Sequence, residues 1–365
     1  MSTSPVVRFL FGAACFVIVV AGMRTAETLL VPFLLSLFIS VLCSPPLLWL
    51  KERGVPNGIA IFVIIAVVVI VSLAIGTIVG AAIGNFRHDL PEYQARLTAL
   101  TAGLFTKLQA LGLNVEVSQL RDGFNPSAVL GFAGSALANL GNLMTNAFLI
   151  LLTVVFILAE EVGFSDKIKL ASANYQKTLE ALNRFKVVVN RYMAIKTGLS
   201  LLTGVLIMGW LWALGVDYFV LWGLLAFLLN FIPTLGSILA AVPAVLLALV
   251  QLGVGDAVLT AVGFVFVNVV IGNIVEPRMM GKGLDLSALV VFLSLVFWGW
   301  VLGSIGMLLS IPLTMTVKIA LESFDETRWV GVMLGSGSMA SRIASGAENT
   351  DIALPQMPDD STKSS

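Results

Sequence analysis

Apolar runs long enough to cross a lipid bilayer recur along almost the whole chain, and no other feature limits the fold as strongly. They occupy residues 9–23, 29–50, 57–84, 143–159, 197–214, 219–250, 256–274 and 286–320. Within hydrocarbon an unpaired backbone N–H or C=O costs several kcal/mol, so a spanning segment must be a helix or part of a closed barrel. Continuous runs of this length, without strict alternation, specify helices. Charged residues make up 12% of the chain and hydrophobic ones 58%, whereas a soluble domain is about 25% charged. The chain therefore reads as an all-α polytopic membrane protein, and an ordinary soluble enzyme is excluded.

Net charge is zero, from 21 basic and 21 acidic residues, so no overall field points to nucleic acid. The placement of the charges is more informative. The run at 9–23 follows only Arg8 and resembles a signal-peptide core, but a second run at 29–50 begins at once, and both are read as retained spans. Pro32 and the pair Pro45-Pro46 sit near the ends of that second run, where a missing backbone donor costs least. After the third run, residues 85–142 mix basic and acidic side chains. Leu97, Leu100, Leu104, Leu108 and Leu111 in that stretch have the spacing of an amphipathic helix lying on a membrane or a partner subunit. Residues 160–196 hold Lys167, Lys169, Lys177, Arg184, Lys186, Arg191 and Lys196 and read as a cytoplasmic helical segment. An inside amino terminus puts 16 of the 21 basic residues on the cytoplasmic side, with Arg24, Arg87, Arg96, Lys107 and Arg121 outside. The positive-inside rule selects that orientation.

Two runs are the wrong length. Residues 219–250 number 32, about 48 Å as a helix, too long for one crossing of a ~30 Å core and too short for two. The run is interrupted at 230–237, and the run at 286–320 is likewise interrupted around Gly299 to Gly303. A re-entrant helical hairpin resolves both lengths. Leu235-Gly236-Ser237-Ile238 with Pro243 downstream is echoed by Leu302-Gly303-Ser304-Ile305 with Pro312 downstream. The single crossing between them would bring the second hairpin in from the opposite face, the inverted-repeat plan of many secondary transporters. The expected architecture is six transmembrane helices plus two re-entrant hairpins. It divides into 1–84 (amino-terminal spans), 85–142 (extracytoplasmic amphipathic region), 143–196 (fourth span and basic segment), 197–330 (transport half) and 331–365 (disordered tail).

Irregular backbone at membrane depth persists only where it is buried in protein or faces a water-filled cavity, so the breaks are candidate sites. At the first, Asn230, Thr234 and Ser237 offer amide and hydroxyl groups, Pro233 frees a carbonyl, and Gly236 permits close approach. The alternative is a Pro-Gly turn that only folds the chain back. Asn268, Asn273 and Glu276 form a second candidate set, with Pro277 disfavouring helix at Glu276. Glu276 can hold a proton or a sodium ion, or pair with Arg278. Lys318 and Glu322, four apart, suit a pair at the cytoplasmic end. Gly76, Gly80 and Gly84, spaced by four, suit close helix packing.

Other chemistries are poorly served. Cys15 and Cys43 lie in apolar runs and imply no disulfide framework, and a single histidine, His88, precludes a His-Glu-x-x-His zinc site. Gly253-Val254-Gly255-Asp256 matches the Gly-x-Gly-Asp signature of intramembrane aspartyl proteases, but Asp217-Tyr218 reverses the partner Tyr-Asp motif. No phosphate-binding Gly-x-x-x-x-Gly-Lys-Ser/Thr loop is present. Neither an enzyme nor a cofactor is expected.

Asn230-Phe-Ile-Pro233-Thr-Leu-Gly236, then Asn273-Ile-Val-Glu276-Pro277-Arg278-Met-Met-Gly281, then Leu286-Ser287 and a glycine-rich last hairpin resemble the autoinducer-2 exporter family of bacterial permeases. The resemblance covers roughly residues 6–330. It implies a multi-pass inner-membrane transporter, a homo-oligomer, exporting the quorum-sensing signal autoinducer-2, although similar proteins are credited with sodium/proton antiport. The expectation is a secondary transporter that exports a small polar solute by alternating access, with Asn230, Pro233, Thr234, Gly236, Ser237, Asn273 and Glu276 lining its site. Its surroundings are the lipid bilayer, with both termini cytoplasmic, and its ligand a polar solute or a cation. The alternatives are a cation/proton antiporter on the same fold and a non-transporting membrane scaffold or sensor.

Overall fold

The computed structural model describes residues 5–110, 147–171, 175–233, 235–280, 286–324 and 326–335. Every regular element among them is helical: α1 (Pro5–Thr25), α2 (Glu27–Glu52), α3 (Asn57–Ala110), α4 (Ala147–Ala171), α5 (Tyr175–Leu214), α6 (Phe219–Leu229), α7 (Leu235–Gln251), α8 (Val254–Asn268), a π-helical segment (Val269–Val275), α9 (Glu276–Met280), α10 (Ala288–Leu308), α11 (Ser310–Glu322) and α12 (Arg328–Met333). Five helical stretches are long and apolar enough to cross a membrane: α2, Asn57–Phe86 of α3, Leu182–Leu214 of α5, Val254–Met280 and α10. Their outward faces carry large apolar side chains such as Phe62, Leu73, Trp212 and Phe266, each more than 60% exposed within the chain. That is the inverse of a soluble surface and matches lipid as the solvent. The protein is an all-α polytopic membrane protein.

Two helices run further than the apolar runs that seed them. α3 continues through Pro91 to Ala110, so the third run and the leucine-spaced segment up to Ala110 form one rod. Proline removes only one hydrogen bond of such a helix, and aromatic contacts of Phe86 with Tyr93, Tyr218 and Trp222 anchor it beside that position. The rest of the 85–142 stretch, from 111, lies outside the described residues. α5 likewise joins the latter part of the basic segment to the fifth span in one 40-residue helix.

α5 is the post around which the second half is built, since α6, α8, α9 and α11 all pack on it, as do α2 and α4. Both overlong runs fold as helical hairpins. In the first, α6 and α7 turn at Asn230 to Pro233 and pack on each other. Both ends of this hairpin sit at the carboxy-terminal end of α5: Gln251 Nε2 donates to the Gly215 carbonyl (3.1 Å), and the Asp217 N–H donates to Gln251 Oε1 (2.9 Å).

The second hairpin breaks inside α10, where Leu302 and Gly303 leave helical geometry and Gly303 takes φ 64°. Its arms lie against each other, with Trp298 Nε1 donating to Thr314 Oγ1 at 2.9 Å. Its ends sit toward the amino-terminal half of α5: Arg184 pairs with Glu322 at 3.1 Å, and the Ser287 N–H donates to the Leu334 carbonyl at 3.2 Å. The two hairpins thus approach α5 from opposite ends. The second tip is held at the α1–α2 corner, where Arg24 stacks 4.6 Å from the Trp300 ring centroid and the Glu27 carboxylate lies against Gly303.

Candidate functional site

Midway along α5, three polar side chains share one buried face. Lys196, Ser200 and Thr203 are spaced four and three apart and are 4%, 0% and 2% exposed. In a helix this spacing stacks side chains on one stripe. Burial of an ammonium there demands a counter-charge, because an unpaired buried charge is strongly unfavourable. The counter-charge is Glu276, whose carboxylate accepts two hydrogen bonds from Lys196 Nζ, at 2.7 Å to Oε1 and 2.9 Å to Oε2.

The π-helical segment delivers Glu276 to that position. Along α8 the buried residues Ala257, Thr260, Phe264, Val267 and Ile271 follow the three-or-four spacing of an α-helix facing the core. From Ile271 the next polar contact with α5 comes five residues later, at Glu276, whose own N–H donates to the Ile271 carbonyl. Five is the spacing of a π turn. Pro277 supplies a cause: it has no N–H, and its ring would clash with the carbonyl four residues back in a regular α-helix, a conflict that the wider turn relieves. Against the expectation from Pro277, Glu276 itself is helical, with φ −57° and ψ −50°.

The first hairpin brings the other polar contact. Asn230 caps α6, and its Nδ2 donates to Ser200 Oγ at 2.9 Å, one helical turn from Lys196. The backbone of the tip satisfies itself: the Ile232 N–H donates to the Leu229 carbonyl (2.8 Å) and the Gly236 N–H to the Ile232 carbonyl (3.2 Å). Gly236 makes this closure possible, since a Cβ there would lie 2.6 Å from the Leu229 carbonyl carbon and overlap its oxygen. Close approach of α6 to α5 also depends on glycine, because a Cβ on Gly204 would meet the Gly223 carbonyl oxygen and Phe227 Cβ, each at 2.8 Å. The hydroxyls of Thr197 and Thr203, beside Lys196 and above Ser200, are buried without a hydrogen-bond partner.

The remaining expected site residues fall in different places. Pro233 and Ser237 flank the tip and are half-buried, whereas Thr234 lies outside the described residues. Asn273 is exposed on the π-helical segment, and Arg278 is exposed while Glu276 pairs with Lys196. Gly76 is half-buried, and Gly80 and Gly84 are exposed with no other element near their Cβ positions. Among the described residues, tight glycine contacts lie elsewhere, for example at Gly204, Gly223, Gly236, Gly263 and Gly306. Lys318 and Glu322 do pair, at 3.6 Å, and share Glu322 with Arg184.

Lys196 and Ser200 are the residues that sequence reasoning passed over. Lys196 ends a cluster of basic residues and so reads as a solvated charge. Its position at the very start of an apolar run, with Ser200 one turn on, was the available signal.

A second polar cluster fastens the far end of α5 to α3. Tyr93 Oη donates to Asp217 Oδ2 at 2.9 Å, and Tyr218 Oη donates to Asp89. Burial, reinforced by the adjacent carboxylates, pushes both phenols well above their ordinary pKa. Tyr218 adopts φ 57°, a left-handed conformation uncommon for a bulky residue, and thereby turns the chain from α5 into α6. On the other side of α5, a cavity of about 600 Å³ opens between α2, α4 and α5, with Ser40, Ser44, Phe156 and Asn190 in its wall. Among the described residues, no group of three or more histidine, cysteine or acidic side chains is placed to hold a metal.

A buried ion pair beside a broken helical hairpin, within an all-α membrane fold, is the kind of polar centre that solute carriers build. Residues 13–326 match the family model described as AI-2E family transporter. The chain belongs to the AI-2E transporter family. It is 40% identical over 318 residues to the AI-2 transport protein TqsA of Escherichia coli K12, covering 87% of this chain and 92% of that protein. A Haemophilus influenzae protein, provisionally named a transport protein, is 39% identical over 334 residues, covering 90% of this chain and 96% of its own length. YhhT of Escherichia coli K12, also provisionally named for transport, is 36% identical over 336 residues, with 92% and 96% covered. The family and these relatives are described as transporters rather than enzymes. The match spans both hairpins and the buried pair.

Proposed function

We propose that the protein is a secondary transporter that exports a small polar solute by alternating access, and that the solute meets the chain where the first hairpin tip, α5 and the end of the π-helical segment converge. Asn230, Pro233, Gly236 and Ser237 of the tip, with Glu276, keep the roles expected from sequence, Thr234 keeps its role on the sequence alone, and Lys196 and Ser200 join them. Asn273 drops out of this set, because its side chain is exposed rather than part of the buried face. The observation that carries the reading is the Lys196–Glu276 pair, 5% and 18% exposed at its side chains and one helical turn from the Asn230–Ser200 contact. Fully compensated charge next to a helix break gives a polar solute hydrogen-bonding groups without a large desolvation cost.

The name of TqsA supports autoinducer-2 as the solute to try first. The charge bias of the loops supports both termini being cytoplasmic, the apolar helices and the bacterial transporter relatives support an inner-membrane location, and the large apolar outer faces leave room for a homo-oligomer. Movement of the hairpins against α2 and α3 would alternate access.

The test is flux of autoinducer-2 in proteoliposomes carrying the purified protein. Asn230→Ala is expected to abolish flux while the protein remains folded and inserted; Glu276→Gln, which leaves the Lys196 ammonium without its counter-charge, is expected to abolish flux with a loss of stability that is measured alongside. Undiminished flux in both variants would remove the site from this location, and silence of the wild type toward autoinducer-2 would redirect the search to another polar solute.

A further inference from the structure

The proposed site contains a carboxylate at membrane depth, and such a group ordinarily invites a coupling cation. Here the position is already filled. Lys196 Nζ lies 2.7 Å from one oxygen of Glu276 and 2.9 Å from the other, so the ammonium straddles the edge of the carboxylate where a metal cation would bridge the two oxygens. The ammonium cannot retreat cheaply, because Lys196 is 4% exposed and sits beneath packed helices rather than at a solvated surface. Among the described residues, no group of three or more histidine, cysteine or acidic side chains is placed to hold a metal here. The other ionisable side chain of α5 near Glu276 is Tyr192, a buried phenol that lies within electrostatic reach of the carboxylate. Arg278, on the same short helix as Glu276, adds positive rather than negative charge and points to the exterior.

We infer that Lys196 is a built-in counter-cation that sets the ion and solute specificity of the site: the chain binds no sodium at Glu276, and the solute it takes is uncharged or anionic. This inference rests on the proposed location of the transport site, but ion binding is measured without transport, so the two can fail separately. A corollary follows from the geometry. Removing the ammonium while keeping the aliphatic stem should leave an uncompensated, half-buried carboxylate and create a cation site that the natural protein lacks.

The experiment uses the full-length protein in detergent. Thermal unfolding is followed in sodium chloride and in choline chloride at equal ionic strength, and binding of radioactive sodium is measured directly. For the wild type we expect no saturable sodium binding and the same unfolding temperature in both salts. Lys196→Met should acquire a saturable, sodium-dependent rise in unfolding temperature, and the double variant Lys196→Met/Glu276→Gln should lack it. Saturable sodium binding by the wild type that disappears in Glu276→Gln would overturn the inference. So would a folded Lys196→Met protein with no sodium response. If Lys196→Met does not fold in choline, its recovery in sodium but not in choline is the supporting result, and failure in both salts while the double variant folds is the opposing one.

Discussion

The closure of the first hairpin at Gly236 can be tested with one methyl group. In Gly236→Ala the new Cβ would overlap the Leu229 carbonyl oxygen and stand 2.6 Å from the carbonyl carbon. Both atoms belong to the backbone of the opposite arm, so no side-chain rotation relieves the clash and the tip must open. Opening forfeits the Ile232 to Leu229 and Gly236 to Ile232 hydrogen bonds. At about 1 kcal/mol net for each bond and about 1–3 kcal/mol for overpacking, the cost comes to about 3–5 kcal/mol. The displaced tip also pulls Asn230 away from Ser200, so transport should fall along with stability.

Gly209→Ala is the matched control, because a Cβ at Gly209 has nothing within 4 Å. Alanine also suits a helix interior better than glycine by about 1 kcal/mol. The assay is thermal unfolding of both variants in detergent by circular dichroism, paired with flux in proteoliposomes. The reasoning is refuted if Gly236→Ala unfolds at the same temperature as Gly209→Ala and transports like the wild type.

Three further expectations concern contacts elsewhere. Lys196→Ala leaves the half-buried Glu276 carboxylate without its partner and should destabilise by about 1–3 kcal/mol, while adding Glu276→Gln should restore most of that loss, as a double-mutant cycle by denaturant unfolding would reveal. Gly204→Ala drives a methyl against the Gly223 carbonyl and Phe227 Cβ and should cost about 1–3 kcal/mol, whereas Gly198→Ala, with open space around it, should be neutral or stabilising in the same measurement. Burial, reinforced by the Tyr93–Asp217 and Tyr218–Asp89 contacts, holds both phenols protonated above their ordinary range, so their stabilisation is intact below the unfolded phenol pKa of about 10 and is lost as pH rises beyond it. Tyr93→Phe/Tyr218→Phe should therefore flatten the alkaline limb of a stability profile, and an unchanged limb would show that these phenols do not govern it.

The architecture was largely legible because membrane insertion depends on local quantities. Residues 219–250 and 286–320 were too long for one crossing and too short for two, and both fold as hairpins that approach α5 from opposite ends. The short echo around Gly236 and Gly303 marked both breaks, yet the backbones differ there. Gly303 takes a positive φ, whereas Gly236 is needed for close approach of the opposite strand of the turn. Helix boundaries were less legible, since α3 runs through Pro91 where composition changes from apolar to mixed. Composition reports where lipid ends, and a helix has no reason to stop at that point.

The candidate site divides along the same line. The residues themselves determined that the chain is helical and membrane-spanning, and that Asn230 and Glu276 stand beside breaks, because apolar length, proline and glycine act within a few residues of where they occur. Only the tertiary structure decided that Glu276 faces Lys196 rather than Arg278, and that Asn230 reaches Ser200 while Asn273 turns outward. Those partnerships join residues 80 and 30 positions apart. They depend on which helix faces pack together and on one π turn that shifts the register of α9, and neither is encoded by the local hydropathy that announces a span.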